Sequence, residues 1–447
     1  MVLLASMMLM MAQGTSPEVV AGLGTTQITH VRVIDGTGRA PIENATVTLR
    51  DGKIAGIGPS GKTAVKGAKV IDGMGKTVMP GIINAHGHLA LVNGTKNDAD
   101  YYTREHVLDE LRQYERYGVT TMLSLGLNRD LVYQIRAEQR AGKLDGASVF
   151  VADRGIGVPD GMPPIPHEGD QLYQPKTPEE ARKDVDEAAG RHTDFVKIWV
   201  DDLYGTKPKM SPSVAQAVIE EAHKDGVPAA AHVFALSDAK GLVGFGVNVL
   251  AHSVRDSAVD AELLNAMKTK GVFYLPTLTV DESFFTYAEH PGWMQSEFFK
   301  NALTPEAYTM LTSAEYADKV KKDSLTAQHR KDFEQARKNM KAAYDAGVKV
   351  GFGTDSGASV YRVPGFAEHH ELAMLVEAGL TPMQAIRAAT ETNASLLGIS
   401  KKTGTLTVGK DADLILLGGN PLDDIRNTEK IVGVWHEGRE VANPAGR

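Results

Sequence analysis

The sequence predicts an α/β fold: a (β/α)8 TIM barrel with a small β-sandwich domain formed by both termini. Three observations support this fold class. Segments typical of β-strands dominate the two ends of the chain, whereas its middle alternates strands with helices. Within the middle, a glycine followed by a valine repeatedly separates a helical segment from an apolar run. With 447 residues, the chain has room for a barrel of about 250 residues and a smaller domain.

The two ends of the chain share the pattern of β structure. Between residues 25 and 80, apolar and polar residues alternate, and Asp51-Gly52 is a typical hairpin turn. Short β runs also occur between residues 413 and 435. The predicted domains are therefore a composite β domain of residues 23–80 and 400–447 and a barrel of residues 81–399.

The middle of the chain contains the boundaries that a β/α barrel requires. Glycine past a helix end takes the left-handed conformation, and the valine after it begins a strand, as at Gly118-Val119. Thr177-Pro178 is a typical helix start. The apolar runs predict eight strands, at about residues 81–86, 119–125, 147–153, 194–200, 228–233, 248–252, 272–278 and 348–353. Eight strands that alternate with helices indicate a parallel barrel.

The segment between the last two predicted strands is unusually long, at roughly 70 residues. It contains several aromatic residues: Phe284, Phe285, Tyr287, Trp293, Phe298 and Phe299. We expect a helical insertion that serves as a lid or as an oligomer contact.

Composition excludes several classes of function. The net charge of −8 arises from 48 basic and 56 acidic side chains. The sequence contains no basic stripe of the kind that would indicate nucleic-acid binding. The chain has no cysteine, so disulfides, thiolate metal sites and cysteine nucleophiles are excluded. Any metal ion must therefore be held by histidine, carboxylate or a modified side chain. The expected partners are a small-molecule substrate and a second copy of the chain in a homo-oligomer.

An apolar run at residues 2–12 is too short to span a bilayer and has the character of a signal-peptide core. No other stretch is long and apolar enough to cross a membrane. We expect residues 1–22 to be a signal peptide or a disordered N-terminus. A cleaved signal peptide would place the protein in the periplasm or outside the cell, and an intact N-terminus would indicate the cytoplasm.

Five of the eight predicted strands carry a histidine, lysine or aspartate within them or at their ends. These residues are His86, His88, Lys197, His232, His252 and Asp355. Catalytic groups of β/α barrels lie at the C-terminal ends of the strands. Two histidines two positions apart point to the same face, so both can reach one ion. Each residue alone is more often a hydrogen-bonded structural residue, but their shared location predicts a metal site.

These motifs resemble those of the amidohydrolase superfamily. The run Val78-Met-Pro-Gly-Ile-Ile-Asn-Ala-His-Gly-His88 resembles its first metal-binding motif, and residues 404–416 resemble the strand that returns to the small β domain. The remaining ligand positions are matched in order by Lys197, His232, His252 and Asp355. The resemblance covers about residues 25–445. It is greatest to the branch of imidazolonepropionase-like proteins, prolidase-like dipeptidases and ochratoxin-type amidases.

The resemblance implies two divalent metal ions, for which the imidazole-rich ligand set favours zinc. One ion would be bound by His86, His88 and Asp355, and the other by His232 and His252. Lys197 would react with CO₂, and the resulting carbamate would bridge the two ions. An ammonium beside two cations is repelled, which lowers its pKa and favours the neutral amine that forms the carbamate.

The implied activity is hydrolysis of amide bonds in dipeptides, including Xaa-Pro, or in N-acyl amino acids. A metal-bridged hydroxide would attack the carbonyl, and Asp355 would accept its proton and pass it to the leaving amine. Alternatives on the same site are a lactonase or phosphotriesterase and a cyclic-amide hydrolase. A non-catalytic assembly protein is disfavoured, because every ligand position is filled. The candidate substrate contacts are Arg154, His167, Tyr204, Tyr361 and Arg362, of which the arginines could pair with a carboxylate.

Overall fold

The computed structural model describes residues 24–61 and 65–445. The predicted signal peptide at residues 1–22 lies outside these ranges. None of the helices in the described ranges combines the length and the apolar character that a membrane span needs.

The strands are, in chain order, β1 (Thr25–Val33), β2 (Ile42–Arg50), β3 (Lys53–Pro59), β4 (Lys69–Asp72), β5 (Thr77–Pro80), β6 (Ile82–Gly87), β7 (Val92–Asn93), β8 (Lys96–Asn97), β9 (Val119–Ser124), β10 (Ser148–Val151), β11 (Val196–Val200), β12 (Ala229–Val233), β13 (Val249–Ala251), β14 (Phe273–Leu275), β15 (Lys349–Val350), β16 (Leu414–Leu417), β17 (Ile431–His436) and β18 (Arg439–Glu440).

The α-helices are α1 (Arg104–Arg116), α2 (Leu131–Arg140), α3 (Pro178–Gly190), α4 (Pro212–Lys224), α5 (Leu236–Phe245), α6 (Ala261–Lys270), α7 (Thr279–Glu282), α8 (Glu297–Lys300), α9 (Pro305–Leu311), α10 (Ala314–Lys322), α11 (Thr326–Asp345), α12 (Phe366–Glu377), α13 (Pro382–Arg387) and α14 (Asn393–Leu396). The predicted cap at Thr177 is present, since its side chain accepts a hydrogen bond from the Glu180 N–H.

Strands from both ends of the chain form one mixed sheet in the order β18-β17-β16-β5-β1-β2-β3, with β4 paired to β1. The join between the ends is the antiparallel pair β5–β16, in which Pro80 lies opposite Leu414. The sheet packs an apolar core that includes Ile28, Val47 and Trp435. The two ends therefore meet as expected, whereas the sandwich arrangement and the domain boundaries at residues 80 and 400 stay predictions.

The middle of the chain forms two parallel sheets, β10-β9-β6 and β11-β12-β13-β14-β15. Their eight strands lie at the eight predicted positions. Backbone contacts connect the edges of the two sheets. A parallel bridge joins Ile156 to Ile198, and the His86 carbonyl accepts hydrogen bonds from the N–H groups of Thr354 and Asp355. The parallel α/β fold is therefore confirmed.

The long segment between β14 and β15 is helical, as predicted, and contains α7 to α11. Four of the six aromatic side chains named above are buried, and Phe299, which is fully buried, packs edge-on against Phe366 of α12 at 4.7 Å. The Tyr117 hydroxyl also donates to the Phe298 carbonyl at 2.9 Å. The segment is thus anchored to the rest of the fold, because its buried side chains belong to the same apolar core as those of the parallel sheets and their helices. Phe284 differs, because it is 37% exposed.

Candidate metal centre and active site

The strand ends bring the predicted metal ligands together. His86 and His88, at the end of β6, each place Nε2 close to Oδ1 of Asp355, at 3.2 Å and 3.0 Å. Lys197 of β11 places Nζ 3.5 Å from Nε2 of His86. Candidate ligand atoms of the two histidines and the aspartate all lie within 4.8 Å of one another. Residues more than 250 positions apart in the sequence therefore form one buried cluster.

The other two predicted ligands adjoin this cluster. The rings of His232 and His252 lie 4.4 Å apart, and the rings of His86 and His252 lie 4.7 Å apart. Both residues come from strand ends, at β12 and directly after β13. All six predicted side chains therefore form one continuous group.

Hydrogen bonds show which nitrogen of these two histidines is free to bind a metal ion. The Thr277 hydroxyl donates to the Pro276 carbonyl at 2.9 Å, so it can only accept from Nδ1 of His252, which lies 2.6 Å away. Nε2 of His252 is then unprotonated. Nε2 of His232 lies 2.9 Å from Oδ2 of Asp201 and donates to this carboxylate, which leaves Nδ1 free. A histidine whose other nitrogen is held in this way is the usual form of a metal ligand.

The charges of the cluster also fit a bound cation. Burial and the nearby Lys197 lower the pKa of His86 to about 3, so its ring is neutral. Burial alone would raise the pKa of Asp355, but the Arg362 guanidinium and the adjacent histidines hold it well below its usual range. Nδ1 of His86 is buried without a hydrogen-bond partner among the described residues. Neutral imidazoles around an ionised carboxylate are a donor set that suits a divalent metal ion.

Lys197 is fully buried and has no carboxylate within ion-pair distance among the described residues. Burial lowers the pKa of its ammonium to about 7, and the more distant Asp355 offsets this only in part. A substantial fraction of the side chain is therefore a neutral amine near neutral pH. The neutral amine is the form that can react with CO₂.

A second layer of hydrogen bonds fixes the strand ends that carry these residues. One oxygen of the buried Glu368 accepts from Asn84, Thr354 and Ser356 at 2.7 to 2.8 Å. Asn84 in turn accepts from the backbone N–H of His86 at 2.9 Å. These contacts join β6 to the segment on either side of Asp355. Asp355 itself has a left-handed backbone conformation, with φ of 55°, which is uncommon for residues other than glycine.

His88, His232, His252 and Asp355 line a cavity of about 170 Å³. Much of its remaining wall is apolar, and this part includes Leu127, Met162, Pro163, Ile165, Trp199, Phe234 and Phe284. Two of the predicted substrate contacts, Tyr204 and Arg362, also line it. Arg362 is ion-paired with Asp355, at 3.2 Å between Nη2 and Oδ2.

The other three predicted substrate contacts are not among the residues that line this cavity. Arg154 forms ion pairs with Asp130 and Glu187, each at 3.5 Å. His167 contacts the backbone carbonyl of Ile165 at 2.8 Å. Tyr361 packs against Tyr316, with 5.8 Å between the ring centroids.

Three charged residues that line the cavity were not predicted from the sequence: Arg255, Asp201 and Asp281. Arg255 is buried, and its guanidinium contacts Asp281 at 3.3 Å and the Val233 carbonyl at 3.2 Å. Asp201, the partner of His232, follows directly after β11, and its hydrogen bond from His232 contributes to a pKa of about 2. The rule that identified the metal ligands could have found Asp201, which directly follows a strand, whereas Arg255 lies four residues past β13 and its position depends on the tertiary structure.

The family of the chain follows from comparison with known proteins. Residues 77–441, most of the chain, match the model of the amidohydrolase family. The chain therefore belongs to this family, which confirms the resemblance of its motifs.

Individual relatives with a named activity include an ochratoxinase and an enamidase. Ochratoxinase of Aspergillus niger is 29% identical over 241 residues, which are 53% of this chain and 42% of that protein. Enamidase of Eubacterium barkeri is 33% identical over 99 residues, which are 21% of this chain and 23% of that protein. The matches thus span less than half the length of these curated relatives.

The similarity to solved structures extends further along the chain. A prolidase-like protein of Bifidobacterium longum has a TM-score of 0.77 at 27% identity, with 96% of this chain and 97% of that chain covered. The structure of the Aspergillus niger ochratoxinase has a TM-score of 0.70 at 22% identity and covers 94% of this chain and 99% of that chain. These structures share the fold of the described residues.

Proposed function

We propose that the protein is a metal-dependent hydrolase with two metal ions that cleaves amide bonds of dipeptides, including Xaa-Pro, or of N-acyl amino acids. The observation that carries this proposal is the continuous group of four histidines, one lysine and one aspartate beside a cavity. Membership of the amidohydrolase family supports the reaction class.

The proposed scaffold is a closed (β/α)8 barrel of residues 81–399. It is supported by the backbone contacts that connect the edges of the two parallel sheets at Ile156 and at His86. In a closed barrel, all eight strands would direct their C-terminal ends to one mouth, which is where catalytic groups of such barrels lie.

Each of the six side chains has a proposed role as a metal ligand. His86, His88 and Asp355 would hold one ion, and Nδ1 of His232 with Nε2 of His252 would hold the second. Lys197, as a carbamate, would supply the negative charge between them. When bound, two divalent cations, proposed to be zinc, polarise a carbonyl and lower the pKa of water.

Asp355 has a second proposed role in proton transfer. Its carboxylate is ionised at neutral pH, because Arg362 and the neighbouring histidines hold its pKa low. It can therefore accept a proton from the attacking water and release it readily to the leaving amine. Arg362 keeps the carboxylate oriented through its contacts to Oδ2 at 3.2 Å and to the backbone carbonyl at 3.1 Å.

Arg255 is the proposed contact for a carboxylate of the substrate, in place of Arg154. It lines the cavity, whereas Arg154 is held by Asp130 and Glu187. The Arg255 guanidinium contacts Asp281 and the Val233 carbonyl through its two terminal nitrogens, which leaves Nε without a hydrogen-bond partner among the described residues. A buried cation beside a hydrolytic centre favours substrates with a carboxylate near the scissile amide, as in dipeptides and N-acyl amino acids.

Two measurements test this proposal. Elemental analysis of protein purified without chelators should find about two divalent ions per chain. A hydrolysis panel should then compare dipeptides, N-acyl amino acids, lactones and phosphotriesters on the metal-loaded protein, and we expect the highest kcat/KM for an amide. A lactone or phosphotriester that exceeds every amide by tenfold would show that the amidase assignment is wrong.

A further inference from the structure

Two aromatic side chains at the cavity remain exposed. Tyr204 and Phe284 each line the cavity and are each 37% exposed. Phe285, the sequence neighbour of Phe284, is only 6% exposed and contacts Phe333 in the interior. Isolated exposed aromatic residues are common on protein surfaces. These two, however, belong to the wall that also contains the candidate metal ligands.

Both rings are held in place by the same helix, α11. Phe284 stacks on His329, with 4.2 Å between ring centroids and 17° between the planes. The Tyr204 hydroxyl donates to Oδ2 of Asp332 at 2.6 Å, and its ring meets His329 edge-on at 6.1 Å. These contacts fix the orientation of both rings, so binding to them would need little further loss of side-chain freedom.

The carboxylates beside these rings have partners within the protein. Both oxygens of Asp332 accept hydrogen bonds, one from Tyr204 and one from Gln328 at 2.7 Å. Asp281 is paired with Arg255. An uncharged ring of a ligand can stack offset or edge-on against the aromatic side chains without displacing these contacts.

We propose that Tyr204, Phe284 and His329 form a subsite for an uncharged aromatic ring of the substrate. The inference rests on the proposed function and narrows its substrate class to amides that carry an aryl group, such as N-aroyl amino acids. Arg255 would contact the carboxylate of the same molecule. An aromatic pair contributes about 0.5–1.5 kcal/mol beyond its buried area, which corresponds to a preference of up to about tenfold.

The test compares two amides that differ in the saturation of one ring: N-benzoylglycine and N-cyclohexanecarbonylglycine. Because the benzoyl carbonyl is conjugated to its ring, the intrinsic reactivities of the two amides also differ, so the subsite is measured by the change in their kcat/KM ratio between wild type and variant. On the metal-loaded protein, Phe284→Leu should lower the ratio of the benzoyl to the cyclohexanecarbonyl compound about five- to tenfold, while the metal content stays unchanged. Leu325→Ala is the matched control, because Leu325 is 42% exposed and is not among the residues that line the cavity.

Binding of the same two compounds, measured by calorimetry on the metal-loaded protein, separates the subsite from the reaction. If neither compound is hydrolysed but the benzoyl compound still binds more tightly in a Phe284-dependent manner, the subsite stands and the proposed function fails. Equal binding and equal turnover of the two compounds by the wild-type protein would overturn the subsite. A preference that persists in both Phe284→Leu and Tyr204→Leu would overturn it as well.

Discussion

The candidate metal ligands and the aromatic surface line the same cavity but are held differently. The ligands are buried, and five of the six come from strands or from the residue after a strand, whereas Asp355 follows β15 by five residues. His232 and His252 each have a second partner, in Asp201 and Thr277. Tyr204 and Phe284 come from the segments that follow strands and are more than one-third exposed. Strand ends thus provide the fixed geometry that a metal site needs, whereas the connecting segments can vary with the substrate.

The largest effect on activity is expected when the buried lysine of the metal site is replaced. Loss of a general base lowers kcat/KM about 10²- to 10⁴-fold. Lys197→Ala should cause a larger decrease, because both metal positions lose a ligand. Metal content should fall in parallel, and acetate or propionate should restore part of the activity by replacing the carbamate. Kinetic and elemental analysis with and without added carboxylate measures this effect. A fully active variant would exclude the lysine from the mechanism.

A smaller loss is expected when Asp355 is changed to asparagine. The amide retains an oxygen for the metal ion but cannot accept a proton, so kcat should fall about 10²- to 10⁴-fold with much of the metal retained. Stopped assays at saturating substrate, combined with metal analysis, distinguish this outcome from a loss of metal. If metal and activity were lost in equal proportion, Asp355 would be a ligand without a role in proton transfer.

Asp201 allows the second layer of the buried site to be tested. Asp201→Asn should weaken metal binding or activity about 10- to 100-fold, because His232 would lose the carboxylate that fixes its orientation and tautomer. The neighbouring Asp202→Asn is the control, since Asp202 caps Gly205 and pairs with Lys209. A competition titration with a chelator compares the metal affinities of the two variants. Equal affinities would show that Asp201 does not support the ligand.

The smallest effect concerns the stability of the metal-free protein. The pKa of Lys197 is lowered to about 7 in the folded state, so between pH 7 and pH 10 the unfolded chain binds more protons, and this residue makes the stability rise with pH. Lys197→Met removes this dependence. At pH 7 the free energy of unfolding of the variant should exceed that of the wild-type protein, which bears the cost of the buried ammonium. This difference between the two proteins should be about 2 kcal/mol smaller at pH 9 than at pH 7.

This stability difference can be followed by urea denaturation in CO₂-free buffer after chelator treatment. Lys143→Met serves as the control for the same substitution at an exposed position. A difference between wild type and Lys197→Met that stays constant with pH would mean that the buried lysine keeps an ordinary pKa.

The sequence by itself determined the parallel α/β fold and the candidate ligand set. Strand periodicity and the glycine and proline boundaries are local signals, and they located all eight strands. Histidine, lysine and aspartate at strand ends were then expected to meet, because parallel strands direct these ends to one edge. The structure brings His86, His88 and Asp355 within contact of one another accordingly.

Only the tertiary structure decided which residues beyond the ligands reach the cavity. Arg154 and Arg255 both follow a strand, yet Arg154 is held by Asp130 and Glu187 while Arg255 lines the cavity. Glu368 contacts Asn84 across 284 positions of sequence, on a helix whose placement no local pattern reveals. The direction of such a side chain depends on packing between distant segments, and that information is absent from any short stretch of the sequence.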